Sequence, residues 1–500
     1  MVDPNRENRE VELKFAFDLA DADALIAHLS PGDAPAARRL VSVYFDTPDQ
    51  ALRKAGFSLR VREEGRRWTQ TVKSISAWSN AGRGEWEAPV DCGSPDPDLL
   101  RSTPVGAVLH GSALEPLFTV SVERRSVTLR EAGSTVEVSV DKGEATRAGR
   151  SIAFAELELE LKSGKAATLF AFAGQLRKAF ALRVGFTTKA DRGFALMDKK
   201  GPPGRRFRVP VLEREMSAGA AFKAIALAAL KQIAGNAEDL RGTPEAEVIH
   251  QLRLGARRLR SSLSTFKPIV SDGRMEGIKA ELEWLSGELD PARNVDVFLS
   301  GALARASLAR RKTEKPTVLG QRLRVTRKAA YARARNAAEG DRFSALLLDI
   351  LTWIEVGPWT KTGGKAGGLR DAPIAGFAAN ALERARRHAK KQGLRFDQGR
   401  EARHKLRIRT KTLRYEAEVF EALFRAHPKM GRHFVARIKT LLDCLGELND
   451  ITTGEGLIGD GPALKRLTDR QALREKMLIG SGRRALDVLC KNNRFWPKLT

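Results

Sequence analysis

Two segments far apart in the chain carry carboxylates at every second position. Glu10-Val11-Glu12-Leu13-Lys14 alternates acid with apolar residue and closes on a base, and Ala155-Glu156-Leu157-Glu158-Leu159-Glu160-Leu161 repeats the alternation with three acids. Side chains of a strand alternate faces, so the acids line one surface while Val11, Leu13, Phe15, Leu157 and Leu159 pack behind it. Two carboxylates about 4 Å apart repel by roughly 4 kcal/mol at an effective dielectric near 20, so a face that gathers several of them needs cations between them. Hard divalent metals suit that role.

Basic residues recur at the same period. Ser58-Leu59-Arg60-Val61-Arg62 offers two guanidiniums on one face, Thr69-Gln70-Thr71-Val72-Lys73 ends in an ammonium, and Arg83-Gly84-Glu85-Trp86-Glu87 mixes signs. A solvated sheet face also alternates. Acidic and basic alternations from five segments, with apolar residues between them, fit a closed barrel with a charged lumen better than an open face. Acids would hold metal there and bases an anion.

The opening EVELK, Tyr44-Phe45-Asp46-Thr47-Pro48, the LRVRE run, TQTVK and ELELEL together resemble the CYTH domain of the triphosphate tunnel metalloenzymes, over about residues 7–200. The resemblance implies an eight-stranded antiparallel β-barrel tunnel with flanking helices, which binds a linear triphosphate and Mg2+ or Mn2+ around these residues. It puts Glu10, Glu12, Glu158 and Glu160 on metal, and Lys14, Arg60, Arg62, Lys73, Arg124 and Lys189 on phosphate. Glu10, Glu12, Lys14, Glu156 and Glu158 become the candidate catalytic set, with Glu156 or Glu87 to orient a water. Arg124 is preferred to Arg125 by register, and Asp141 is a further candidate; a slip of one residue would turn either outward.

A chain of 500 residues exceeds one core. Residues 1–200 hold 29 Lys plus Arg against 28 Asp plus Glu, whereas the remainder holds 58 against 33, so the basic excess belongs to the C-terminal three fifths. Turn and charge signals at 201–211 mark a linker. Beyond it, residues 212–500 read as an all-α helical bundle, and Gly357-Pro358 through Gly367-Gly368 divides it into halves of about 212–356 and 370–500. The overall expectation is an α+β multidomain protein.

The halves repeat. His250, Arg253, Arg257 and Arg260 recur 154 positions later as His404, Arg407, Lys411 and Arg414 with the same spacing. At about 100° per residue the four positions fall within roughly an 80° arc, so each helix carries one histidine and three cations in a stripe. A single stripe of this kind is usually a solvated face. Two related stripes point instead to internal duplication and a concentrated positive surface matched to polyphosphate by forked guanidinium contacts. This part resembles the CHAD domain, a helical fold named for conserved histidines and associated with inorganic polyphosphate; Asn294 stands where that pattern has an acid.

Other classes lose support. Aromatic residues do not interleave with the basic stripes, which argues against a specific nucleic-acid platform. There is no Gly-rich loop ending in Gly-Lys-Ser/Thr, no His-Glu-x-x-His and no Gly-x-Ser-x-Gly. The run Ala218 to Leu230 is too short to cross a bilayer and contains Lys223, the start carries no leader pattern, and Cys92, Cys444 and Cys490 are scattered, so the expectation is a cytoplasmic protein without membrane partners. The reading taken forward is metal-dependent hydrolysis of inorganic triphosphate to pyrophosphate and phosphate, with polyphosphate bound by the helical part. Its competitors are a non-catalytic polyphosphate-binding or tethering protein, a class IV adenylate cyclase and a thiamine triphosphatase. Trp68, Trp78 and Trp86 are available for an organic moiety, although packing is the favoured role.

Overall fold

The computed structural model describes residues 11–74, 84–198, 204–242, 245–300, 318–424, 428–458, 462–491 and 494–497. Two compact units emerge, one of residues 1–203 with 341–356 and one of residues 204–340 with 357–500.

The first unit is built on a mostly hairpin-connected antiparallel sheet. Its strands are β1 (Val11–Ala16), β2 (Arg38–Asp46), β3 (Phe57–Glu64), β4 (Arg67–Ser74), β5 (Glu85–Val90), β6 (Glu115–Glu131), β7 (Ser134–Arg147), β8 (Arg150–Ser163) and β9 (Arg183–Val184), in the order β5-β4-β3-β2-β6-β7-β8-β1-β9. The expected eight-stranded closed barrel is corrected here: among the described residues the sheet has nine strands, and its edges β5 and β9 do not pair. Alternation reports which face a residue occupies, but closure depends on how strands bend across the sheet, which no local pattern encodes.

The sheet nonetheless curls. On a flat sheet β4 and β1 stand six strand spacings apart, about 29 Å. The Lys73 ammonium on β4 still feels repulsion from Lys14 on β1, which requires a much shorter separation than that. Tight turns support the long central hairpins: Ala132-Gly133 and Ala148-Gly149 are each left-handed at both positions, the geometry of a two-residue turn that matches strand twist.

Register assigns the faces. Leu13, Phe15, Leu157, Leu159, Val136, Val138 and Val140 lie on the convex face and are buried, with Leu169, Phe170, Ala173 and Leu176 of helix Ala166–Ala179 also buried on this side. Helix Asp341–Val356, from the middle of the helical sequence, packs on helix Ala166–Ala179, and Arg177 pairs with Asp341 at 2.5 Å. Asp46 of the Tyr44-Phe45-Asp46-Thr47-Pro48 segment is buried and accepts from the backbone N–H groups of Thr47, Leu52 and Arg53, fixing the short helix Ala51–Ala55. One end of the concave face is apolar, where Phe194 of helix Lys189–Met197 meets Phe118 edge-on at 5.1 Å.

The second unit repeats a four-helix series. Ala218–Gly242, Ala246–Thr265, Met275–Ser300 and Val318–Glu339 are answered by Ile374–Gly393, Arg400–Phe420, Pro428–Ile458 and Pro462–Lys491, and in each series neighbours in sequence pack on one another. The first of these helices modifies the expectation drawn from residues 218–230. It runs on to Gly242 and is long and apolar enough to span a bilayer by length and composition, yet 78% of its apolar window is buried as core.

Candidate functional site

The concave face gathers charge by register alone. Arg124 on β6 faces Asp141 on β7, Asp141 faces Glu156 on β8, and Glu158, two residues along, faces Lys14 on β1. Ligand oxygens of Asp141, Glu156 and Glu158 all lie within 4.8 Å of one another, and all three residues are buried. Hard carboxylate oxygens in a buried set of three fit a hard divalent cation.

The expected metal ligands only partly coincide with this set. Glu158 belongs to it and Asp141 and Glu156 complete it, whereas Glu12 pairs with Lys14 at 3.1 Å and Glu160 with Lys162 at 2.6 Å. Glu160 lies two residues beyond Glu158 on the same face of β8, opposite Glu12. Glu10 lies outside the described residues.

Cations interleave with the acids. Arg124 reaches Asp141 at 2.6 Å and Glu158 at 2.5 Å, and Lys14 reaches Glu158 at 2.9 Å. Arg125, its neighbour, donates instead to the Pro35 carbonyl. Lys189, first residue of its helix, lies within 3.0 Å of Asp141, Glu156 and Glu158. Arg192, one turn on, holds Glu156 at 2.7 Å and stacks over Phe154. Its role was not legible in sequence, although its place three residues after Lys189 puts both on one helix face. The Thr188 and Asp191 capping box fixes where that helix starts.

Burial opposes every one of these charges, and pairing outweighs it. Glu158 is held well below the ordinary carboxylate range by Lys14, Lys189 and Arg124, and Glu156 is lowered chiefly by Lys189 and Arg192. Lys14 is raised by Glu158 and Glu12, Lys189 is raised further by Glu156, Glu158 and Asp141, and Arg124 is raised by Asp141 and Glu158.

Across the same face the balance reverses. Arg60 and Arg62 on β3 and Lys73 on β4 point inward with Glu85 and Glu87 of β5 as their acids. Lys73 pairs with Glu85 at 2.6 Å, but Arg60 comes only within 3.9 Å of Glu87, and its buried Nε has no hydrogen-bond partner among the described residues. Burial and the neighbouring Arg60 push Arg62 down to about 10, and burial with Arg60 also lowers Lys73. This cation group is short of negative charge. Trp68 and Trp86 pack from the other face against the apolar cluster around Leu59 and Leu100, and Trp78 lies outside the described residues.

In the helical unit the two stripes meet. Arg407 is lowered by burial and by Arg257, and Lys411 is pushed down to about 6 by burial, Arg257, Arg407, Arg253 and Arg414. The outer members are tied to acids: Arg253 to Asp290, Arg260 to Glu283 and Arg414 to Glu418. His250 is pushed down to about 4 by burial and Arg293, and His404 Nδ1 lies 3.2 Å from Asn449 Oδ1. Asp450 offsets part of the charge on Arg293 and Arg407, so an acid of the second half faces cations of both repeats.

A curled sheet with acids and bases on its hollow face is thus followed by a duplicated helical unit with two basic stripes. Residues 8–194 match the CYTH domain and residues 224–458 the CHAD domain, so the chain carries a CYTH domain followed by a CHAD domain. An inorganic triphosphatase from Haemophilus influenzae is 28% identical over 205 residues, 38% of this chain and 56% of that protein, so the chain spans about half the length of this relative. Among solved structures, the CHAD domain from the plant Ricinus communis aligns at 24% identity over 58% of this chain and 96% of its own, with a TM-score of 0.43. HpAC1 from Hippeastrum, described with a dominant triphosphatase activity, aligns at 18% identity over 36% of this chain and 93% of its own, with a TM-score of 0.28.

Proposed function

We propose that the CYTH domain hydrolyses inorganic triphosphate to pyrophosphate and phosphate in a metal-dependent reaction, and that the CHAD domain binds inorganic polyphosphate. The observation that carries the first reading is the pairing, on one hollow face, of a buried carboxylate trio with a cation group in which Arg60 keeps a buried Nε without a hydrogen-bond partner among the described residues and comes only within 3.9 Å of Glu87. Asp141, Glu156 and Glu158 would hold Mg2+ or Mn2+, which when bound neutralises phosphate oxygens and lowers the pKa of a bound water.

Arg60, Arg62 and Lys73 would grip one end of the phosphate chain, and Lys14, Arg124 and Lys189 the end nearest the acids. Fixing the chain in line contributes much of the rate, because phosphoryl transfer needs charge neutralisation and positioning more than covalent help. Placement of Trp68 and Trp86 on the apolar side favours a substrate without an aromatic moiety.

In the CHAD domain, crowding of Arg257, Arg407 and Lys411 supports a polyanion as the partner that relieves it. The test is product analysis after incubating the protein with tripolyphosphate, long-chain polyphosphate, ATP and thiamine triphosphate, each with Mg2+, Mn2+ or EDTA. Phosphate and pyrophosphate from tripolyphosphate in metal, and none in EDTA, are expected. Cyclic AMP from ATP would transfer the reading to a cyclase, and tight polyphosphate binding without phosphate release would leave a binding protein.

A further inference from the structure

Lys189 already holds the oxygens that a divalent cation would need. Its Nζ lies 2.9 Å from Asp141 Oδ2, 3.0 Å from Glu156 Oε2 and 2.8 Å from Glu158 Oε1, so one ammonium sits among all three carboxylates. Those ligand oxygens are within 4.8 Å of one another, too close for a lysine and a divalent cation to share them without strong repulsion.

The helix that bears Lys189 is fixed by contacts that do not involve its ammonium. Arg192 holds Glu156 Oε1 through both Nη2 at 2.7 Å and Nε at 3.2 Å, and its guanidinium lies 4.8 Å from the Phe154 ring. The capping box at Thr188 and the seating of Phe194 on Phe118 complete the anchor. Lys189 ends in a compact charge on a flexible four-carbon stem, so its head can leave while its backbone stays. Arg192 is the fixed cation of the helix and Lys189 the movable one.

We propose that Lys189 is an exchangeable counter-ion: its ammonium and the divalent metal compete for Asp141, Glu156 and Glu158, and metal entry releases the lysine onto the phosphate chain. This rests on the metal-dependent reading above. It makes the two ligands support each other, since metal frees a phosphate contact and phosphate draws the lysine away from the metal's oxygens, a coupling that is reciprocal by linkage.

The exchange is tested on the full chain with Mn2+ alone, free ion being measured by electron paramagnetic resonance. Lys189→Met is expected to bind Mn2+ at least tenfold more tightly than wild type, and Lys189→Arg, which keeps the charge, to stay within about threefold. Affinity for non-hydrolysable imidotriphosphate in saturating Mn2+ moves the other way, falling in Lys189→Met. If Lys189→Met does not fold, the comparison is made between Glu156→Gln and Glu156→Gln/Lys189→Met, where one acid leaves with the base; the double variant is expected to bind Mn2+ more tightly. Equal or weaker Mn2+ binding on removal of the lysine overturns the proposal. Phosphate release from tripolyphosphate by wild type is followed in the same preparations. Release with unchanged Mn2+ affinities ends the exchange and leaves the hydrolase reading, and tighter Mn2+ binding without release does the reverse.

Discussion

Arg60 and Arg62 stand side by side on β3 with Glu87 as a distant and half-exposed acid, and the price is visible in the depressed Arg62 and the orphaned Nε of Arg60. A buried donor without a partner costs about 1–3 kcal/mol, which a bound phosphate oxygen would remove. Arg60→Met should therefore leave the melting temperature unchanged or raise it, while weakening tripolyphosphate binding by roughly 10–100-fold, read by calorimetric titration. Glu158 behaves oppositely because it is satisfied by three cations. Glu158→Gln leaves Lys14, Arg124 and Lys189 short of an acid and should destabilise the CYTH domain by about 3–5 kcal/mol in denaturant unfolding.

The same residue sets the acid limit. Its folded pKa lies well below the ordinary 4.5, so its stabilisation is complete above pH 4.5 and disappears as pH falls through the folded value. Lys189, raised well above 10.5, contributes fully below that pH and is lost only in stronger base. Between these limits the cluster adds no slope to thermal stability against pH, and the acid arm should shrink in Glu158→Gln, the lowered Glu156 keeping its own share.

At the scale of elements, helix Lys189–Met197 and the paired stripe helices show what packing adds to pattern. A Cβ on Gly193 would lie 2.0 Å from the Phe118 ring, so Gly193→Ala must lift the helix off its apolar seat and carry Lys189 with it. Lost turnover with a lowered melting temperature is expected. In the helical unit Lys411 has a folded value near 6 against 10.5 unfolded, so between these pH values the unfolded chain binds more protons and stability rises with pH. Burial contributes most to the shift, Arg257, Arg407, Arg253 and Arg414 add to it, and Asp450 opposes the crowding only in part. A bound polyanion restores the proton, so polyphosphate affinity should fall as pH rises above 6 and binding should take up a proton; calorimetry in buffers of different ionisation enthalpy measures it. Lys411→Met should abolish the uptake.

The sequence patterns resolve some elements well and others poorly, for physical reasons. Alternation in Glu12-Leu13-Lys14 and Glu156-Leu157-Glu158 assigns faces because strand period is two, and register then brings Lys14 opposite Glu158. Which acids converge was less legible, since Asp141 meets Glu156 only through the pairing of β7 with β8. Arg192 escaped because its partner lies 36 residues away on another element. The duplicated stripes were legible because 3.6-residue periodicity places four side chains on one line wherever the helix sits.

At the scale of the whole molecule, the division of the chain by contacts differs from its division by sequence. Helix Asp341–Val356 lies within the span matched to the CHAD domain, yet it clusters with the sheet unit and packs on helix Ala166–Ala179 and β9. Its amphipathic pattern announces burial but not the surface that buries it, so no composition break marks the excursion. Phe343, Leu347, Ile350 and Ile354 are buried, and a sheet unit cut from the chain after residue 203 loses the whole helix. Leaving such neighbours exposed costs about 25 cal/mol per Å2 of apolar surface, enough over one amphipathic helix to remove several kcal/mol from a domain of marginal stability. A fragment of residues 1–203 should accordingly melt at least 5 °C below the sheet transition of the full chain and bind the apolar dye ANS, and a synthetic peptide of residues 341–356 added in excess should recover part of the loss. A fragment as stable as the full chain would mean that the sheet unit is complete without this helix.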